Sequence, residues 1–176
     1  MPSKLNAEKI RELLRLRPHP IEGGYFVETY RSELKIAQSI LGRAYSGERL
    51  AGTAIFYLLT PDTFSAMHQL PGDELFHFYL GDPVEMLQLR PDRIVDVIVL
   101  GQDIGAGMRL QHNVPGGVWQ GSRLVAGGEF ALLGTTMSPG FDYADYVTGD
   151  RNTLIAAYPQ HADGITALTR VPRGTA

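Results

Sequence analysis

Residues 64–81 read FSAMHQLPGDELFHFYLG, and this stretch decides the fold. Two short runs rich in aromatic and apolar residues flank the turn Pro71-Gly72-Asp73. Strand side chains alternate, so Phe64, Ala66 and His68 share one face of the first run. Glu74, Phe76 and Phe78 share one face of the second. A tight turn between such runs signals a hairpin. It brings His68, near the end of one strand, to Glu74 at the start of the next. By the same parity His77 points the other way, unless a bulge re-aims it.

The pattern continues outward in both directions. Residues 25–31, 51–59, 84–89, 94–100, 111–114, 118–125 and 130–136 read as further strands. The 20 Gly and 11 Pro are spread along the chain and punctuate it every eight to twelve residues, as in a protein of many short strands. Residues 4–16 read as a helix, with Leu5, Ile10, Leu13, Leu14 and Leu16 near helical spacing and Ser3 or Asn6 as its cap. Arg17-Pro18-His19-Pro20 ends it, since proline lacks the N–H a helix needs. Asp150 caps a second helix that stops at Pro159, and a further piece includes Ile165 and Leu168. The expected fold is mainly β: one domain over residues 1–176, a jelly-roll barrel over about 24–147, and short flanking helices over about 4–16 and 150–169.

Composition excludes several function classes. The chain has 176 residues and 16 Lys+Arg against 19 Asp+Glu, a net charge of −3, so a nucleic-acid footprint is missing. With 44 % hydrophobic residues it can bury a core. Its longest apolar stretch, around residues 50–59, falls well short of the roughly 18 residues a spanning helix needs, so no membrane partner is expected. The first residues lack a signal-peptide core, and a cytoplasmic protein is expected. There is no cysteine, hence no disulfide and no thiolate ligand or nucleophile. No G-x-S-x-G elbow occurs, and the glycines of 101–107 lack the Lys-Ser/Thr of a phosphate loop.

The spacing around the hairpin resembles the first cupin motif, G-x5-H-x-H-x3,4-E-x6-G. His68 matches its first His, Glu74 its Glu and Gly81 its last Gly, while Leu70 stands at the second His. Pro115-Gly116-Gly117-Val118-Trp119-Gln120 resembles the second motif, with Gln120 in place of its His. RPHPIEGGYFVETYRS (17–32) resembles the PHPEGG opening of the fifth cupin family, with Ile21 inserted before Glu22. Glu74-Leu75-Phe76-His77 and Pro139-Gly140-Phe141-Asp142-Tyr143 resemble later segments of that family, so the likeness runs over about residues 12–170. It implies the cupin double-stranded β-helix and commonly a homodimer, without an assigned reaction.

Cupins with the full motif hold a divalent metal on three His and one Glu. Here His68, Glu74 and Gln120 are the candidate metal ligands, a depleted set of reduced expected affinity, since Gln is a weak neutral donor and Leu70 cannot ligate. His68 and Glu74 are the candidate catalytic pair, because a His titrates near neutrality and a neighbouring carboxylate orients it or favours its charged form. Glu22, Thr53, Tyr57, Phe64, Phe76, His77 and Gln120 are the candidate ligand-binding residues. His19 reads as a turn residue, His112 as a surface residue, and Asp142 and Asp145 as surface or cap residues. The leading expectation is a barrel that binds a small polar or sugar-like molecule, with non-redox acid–base chemistry of epimerase or isomerase type. The alternatives are a metal-dependent oxygenase or isomerase and a non-catalytic ligand-binding module.

Overall fold

A computed structural model of the chain describes residues 5–170. Helix α1 (Ala7–Leu14) is followed by strands β1 (Arg17–Pro18), β2 (Tyr25–Arg31) and β3 (Lys35–Ile36), helix α2 (Gln38–Leu41), and strands β4 (Arg49–Leu50) and β5 (Thr53–Leu59). The hairpin read above is β6 (Phe64–Gln69) and β7 (Glu74–Gly81). Then come β8 (Val84–Leu89), β9 (Val95–Leu100), β10 (Gln111–Val114), β11 (Trp119–Leu124), β12 (Ala131–Met137) and β13 (Val147–Thr148). Helices α3 (Arg151–Ala157) and α4 (Ala162–Ala167) end the chain. Two antiparallel sheets form the barrel, in the orders β1-β2-β5-β12-β7-β10 and β13-β6-β11-β8-β9. The short β3–β4 hairpin and α2 occupy 35–50, where no strand period is visible.

α1 begins at Asn6, whose side chain accepts from the Lys9 N–H at 2.8 Å, and ends at Arg15 in the left-handed region. It is therefore shorter than the 4–16 expected; Ser3 and Lys4 lie outside the described residues. Its Ile10, with Leu16, packs on Leu58 and Leu132 of the outer face of the first sheet. Asp150 caps α3 as expected, accepting from the Thr153 N–H at 2.8 Å. Leu154, Ile165 and Leu168 cover Met67, Leu87 and Leu89 on the outer face of the second sheet. Each sheet thus has a covered outer face, and the inner faces meet in a core that includes Tyr57, Phe76, Phe78, Met86 and Leu133.

Register decides which inward residues remain polar. On the first sheet Arg31, Thr53, Met137 and Glu74 lie opposite one another in one row. Glu28, Ile55, Thr135 and Phe76 form the next row, and Tyr57, Leu133 and Phe78 lie deeper. On the second sheet His68, Gln120 and Gln88 form the row that faces Glu74. One end of the barrel is consequently apolar and the other carries the polar side chains.

A bulge corrects one expectation. Gln120 pairs with His68 and Ser122 with Ser65, so β6 uses one residue more than β11. The extra residue inverts the parity of β6, as a bulge must. Ser65 turns into the barrel, and Phe64 turns out beneath the C-terminal helices, with the Arg170 guanidinium 5.8 Å from its ring centre. Phe64 therefore does not share a face with His68 and stands outside the barrel interior. Gly121 sits opposite the bulge, where a Cβ would stand 3.1 Å from the Ser65 carbonyl oxygen and 3.2 Å from the Met67 nitrogen. Gly121→Ala is expected to cost about 1–3 kcal/mol through overpacking against backbone. Denaturant unfolding checks this; an unchanged midpoint would show that the strands part freely here.

Candidate functional site

The polar end of the barrel holds a cavity of about 170 Å³. β6 and β7 deliver His68 and Glu74 to it, and β5 delivers Thr53 and Ile55. The segment that follows α1 closes one side with Arg17, His19 and Glu22. Phe26, Leu70, Met137, Phe141 and Tyr143 give it apolar walls.

The proline-flanked segment is strapped down by its backbone. The His19 N–H donates to the Gly24 carbonyl at 3.0 Å, and the Glu22 carbonyl accepts from the Ala66 N–H at 2.9 Å. The buried Tyr57 hydroxyl donates to the Gly23 carbonyl at 2.8 Å. Gly23 has φ +110°, and a Cβ there would lie 2.3 Å from the Phe64 carbonyl oxygen, so only glycine fits. These contacts bring Glu22 and His19 inward. The Ser65 hydroxyl donates to Glu22 Oε1 at 2.5 Å, and His19 Nε2 stands 4.0 Å from Glu22 Oε2.

His68 is 1 % exposed. Its Nδ1 donates to the Ala66 carbonyl at 2.8 Å, its Nε2 lies 3.8 Å from Glu74 Oε2, and its ring stacks on Tyr146 at 4.9 Å. The 3.8 Å separation makes the Glu74 contact an ion pair rather than a hydrogen bond. Burial pushes the imidazole down, but the Glu22 and Glu74 carboxylates and the Ala66 carbonyl outweigh it and lift its pKa to about 9. His19 goes the other way. Burial lowers its pKa below the ordinary value despite Glu22, helped by repulsion from His68. Its Nδ1 accepts from the Glu22 N–H at 2.9 Å, so the neutral ring carries its proton on Nε2.

Several expected site residues take other places. Glu22, Thr53, His68 and Glu74 line the cavity; the Thr53 hydroxyl oxygen accepts from the Phe141 N–H at 2.9 Å. Gln120 is buried behind Glu74 and donates its amide N–H to Glu74 Oε2 at 2.7 Å. Tyr57 serves as an anchor for Gly23 and Phe76 as core, neither lining the cavity. His77 points away from the barrel interior, as strand parity requires. There it meets the Thr136 hydroxyl at 3.1 Å and the Gln111 amide at 3.2 Å, and it does not line the cavity. Asp145 is not at the surface: it is buried in an ion pair with Arg49, with Nε 2.7 Å from Oδ2. That pair anchors the segment which carries Tyr146 onto His68. Tyr146 and His19 are the contributors that strand reasoning misses. Tyr146 lies in irregular chain, whereas His19, three residues before Glu22, has a signal in its distance from that carboxylate.

The residues present do not fit a resident divalent metal. Among the described residues no three His, Asp or Glu side chains are grouped to hold one. Gln120 turns its NH2 rather than its oxygen to Glu74, and Leu70 has no donor.

Because His68 is charged in the fold above its ordinary 6.5, its contribution to stability is complete below that value and fades as pH rises through about 9. NMR titration is expected to show an imidazolium ring at pH 7.5; a midpoint at or below 6.5 would contradict the assignment. Glu74→Gln leaves the buried ring without its nearer counter-charge and is expected to destabilise by about 3 kcal/mol and to lower that midpoint.

With this geometry described, similarity places the chain. Residues 8–148 match the family described as Cupin superfamily (DUF985). The "Uncharacterized protein YML079W" of Saccharomyces cerevisiae is 32 % identical over 133 residues, which cover 71 % of this chain and 66 % of that protein. A hypothetical protein from Leishmania major superposes with a TM-score of 0.86 at 31 % identity, covering 95 % of this chain and all (100 %) of the other. Protein SO0799 from Shewanella oneidensis gives 0.83 at 32 %, covering 94 % and 98 %. Oxalate decarboxylase from Bacillus subtilis gives 0.51 at 12 % identity over 87 % of this chain and 37 % of that one, a likeness of fold alone. No helix among the described residues is long and apolar enough to cross a membrane. The chain belongs to the cupin superfamily, in its family DUF985.

Proposed function

We propose that the cavity takes a single-ring polar metabolite and moves a proton on it without redox chemistry, in the manner of an epimerase or isomerase. The observation that carries this reading is one cavity that holds His68 and His19 together with the Glu22 and Glu74 carboxylates. His68 is held as a cation, His19 is held neutral, and both face carboxylates inside one cavity. The His68 imidazolium supplies an acid, while neutral His19, with Nδ1 committed to the Glu22 N–H, leaves the role of base to a carboxylate. Glu22 acts as the base and takes the proton from a carbon next to a carbonyl. The C–H electron pair moves into the carbon–carbon bond, and the carbonyl oxygen takes a proton from the His68 imidazolium. Return of a proton to the opposite face gives the epimer; where the deprotonated carbon bears a hydroxyl, return to the former carbonyl carbon with loss of that hydroxyl's proton gives the isomer. The His68 orientation is set by Ala66, Glu74 and Tyr146, so little reorganisation accompanies the step.

Size and charge narrow the ligand. A cavity of about 170 Å³ is close to the ~150 Å³ that holds one six-membered ring. At the rim the Arg17 guanidinium lies 5.4 Å from the Phe26 ring centre and makes no ion pair among the described residues. Arg31 also lines the cavity, bound to Glu28 at 2.7 Å. An exposed cation at the rim and carboxylates within favour a ring that carries hydroxyls inward and an anionic substituent outward, such as a sugar acid or sugar phosphate.

The test is solvent-proton exchange. Cyclic sugar acids and sugar phosphates are incubated with the protein in D2O and followed by NMR. Deuterium is expected at the carbon beside the carbonyl, with a loss of about 100-fold in Glu22→Gln and in His68→Gln. Saturable binding without exchange would overturn the catalytic reading and leave a ligand-binding module.

A further inference from the structure

A second polar cluster lies on the side of the barrel away from the Glu22 strap. Gln88 on β8 stands directly opposite Gln120 on β11, and the two are 3 % and 2 % exposed. Side chains of such directly opposed residues share a face and lie within reach of one another. Gln120 commits its NH2 to Glu74, and its Oε1 is buried with no hydrogen-bond partner. On the other side, the amide of Gln88 stands 2.7 Å from His112 Nε2, and Arg109 Nη1 stands 2.7 Å from His112 Nδ1. His112 is half-buried on β10.

The ends of this series fix its middle. Arginine has no acceptor and a carboxylate has no donor. Arg109 therefore donates to His112 Nδ1, and a neutral His112 carries its proton on Nε2. Burial, with the Arg109 charge, keeps the ring neutral by lowering its pKa, against a weaker opposing effect of Asp96 on β9. The Nε2–H needs an oxygen in front of it, so Gln88 must present Oε1 to His112. The two ends of an amide are exchanged by a half-turn and are assigned by their partners. With that turn the Gln88 NH2 is released from His112 toward Gln120, whose Oε1 lacks a donor. One rotation of one side chain gives the histidine an acceptor and turns a donor toward the orphaned amide oxygen, in exchange for the weak 3.3 Å contact of the Gln88 NH2 with Met86 Sδ.

We infer that Arg109, His112, Gln88 and Gln120 form one directed hydrogen-bond chain, every donor pointing inward, that ends on Glu74. Its consequence is positional. Gln120 can offer Glu74 only its NH2, which holds the carboxylate in place beside His68 and keeps the amide oxygen turned from the cavity. Gln88 and His112 are positioning residues that act on the site through Gln120, and none of them touches a ligand. The chain does not depend on whether the cavity turns a substrate over.

Long-range 15N–1H NMR of the histidine-labelled protein tests the tautomer, and hydrogen exchange of the Gln120 side-chain NH2 tests the connection. The Nε2–H tautomer of His112 is expected near pH 7.5. In His112→Phe, which fills the space but cannot relay, Gln120 exchange is expected to rise about fivefold, the factor carried by one neutral hydrogen bond. His112→Gln keeps an acceptor for Arg109 and a donor for Gln88, and is expected to restore slow exchange. An Nδ1–H tautomer, unchanged exchange in His112→Phe, or no recovery in His112→Gln would overturn the chain. If His112→Phe does not fold, the tautomer in the unaltered protein decides alone. None of these readouts involves ligand or turnover, so they stand apart from the exchange test above.

Discussion

Glu74 joins the two halves of the barrel. It stands on the six-stranded sheet, yet its Oε2 meets His68 and Gln120, both on the five-stranded one. A buried carboxylate is costly unless it is paired and hydrogen-bonded, and here the cation comes from one strand and the amide donor from the next. The cation in turn depends on its own neighbours. His68 stays charged because Glu22 lies near it, and Glu22 is near because the segment from His19 to Gly24 is strapped over the barrel mouth. The ionised pair, the position of the strap and the register of β6 against β11 therefore depend on one another.

The hairpin residues made much of this legible. Alternation placed His68 and Glu74 together and sent His77 outward, because nothing between Glu74 and Phe78 interrupts the strand. Phe64 broke the same rule. The bulge between it and His68 depends on close approach to Gly121, a contact between distant strands that local sequence does not carry. Tyr57 and Phe76 lie on the inward faces that parity assigns, but their depth depends on which end of the barrel fills first. His112 read as a surface residue because its partner Gln88 is 24 positions away. Tyr146 was invisible for a related reason: a buried ion pair between Arg49 and Asp145, 96 positions apart, sets its place.

The fold is shared with solved chains of about 30 % identity, whereas this chain departs at Leu70 and Gln120 from the cupin motif that its hairpin resembles. The substitutions form a consistent set. Leu70 makes a wall of the cavity, Gln120 is a donor to Glu74, and His68 pairs with the Glu74 carboxylate. An imidazolium and a cation site would compete for the same carboxylate, and here Glu74 is shared by His68 and Gln120.

Neutron diffraction from deuterated crystals grown near pH 7.5 would test this most directly, since it locates the protons themselves. The account predicts deuterons on both ring nitrogens of His68 and none on Glu74. A neutral His68 ring, or a deuteron on the Glu74 carboxyl, would contradict the ionised pair on which the site depends.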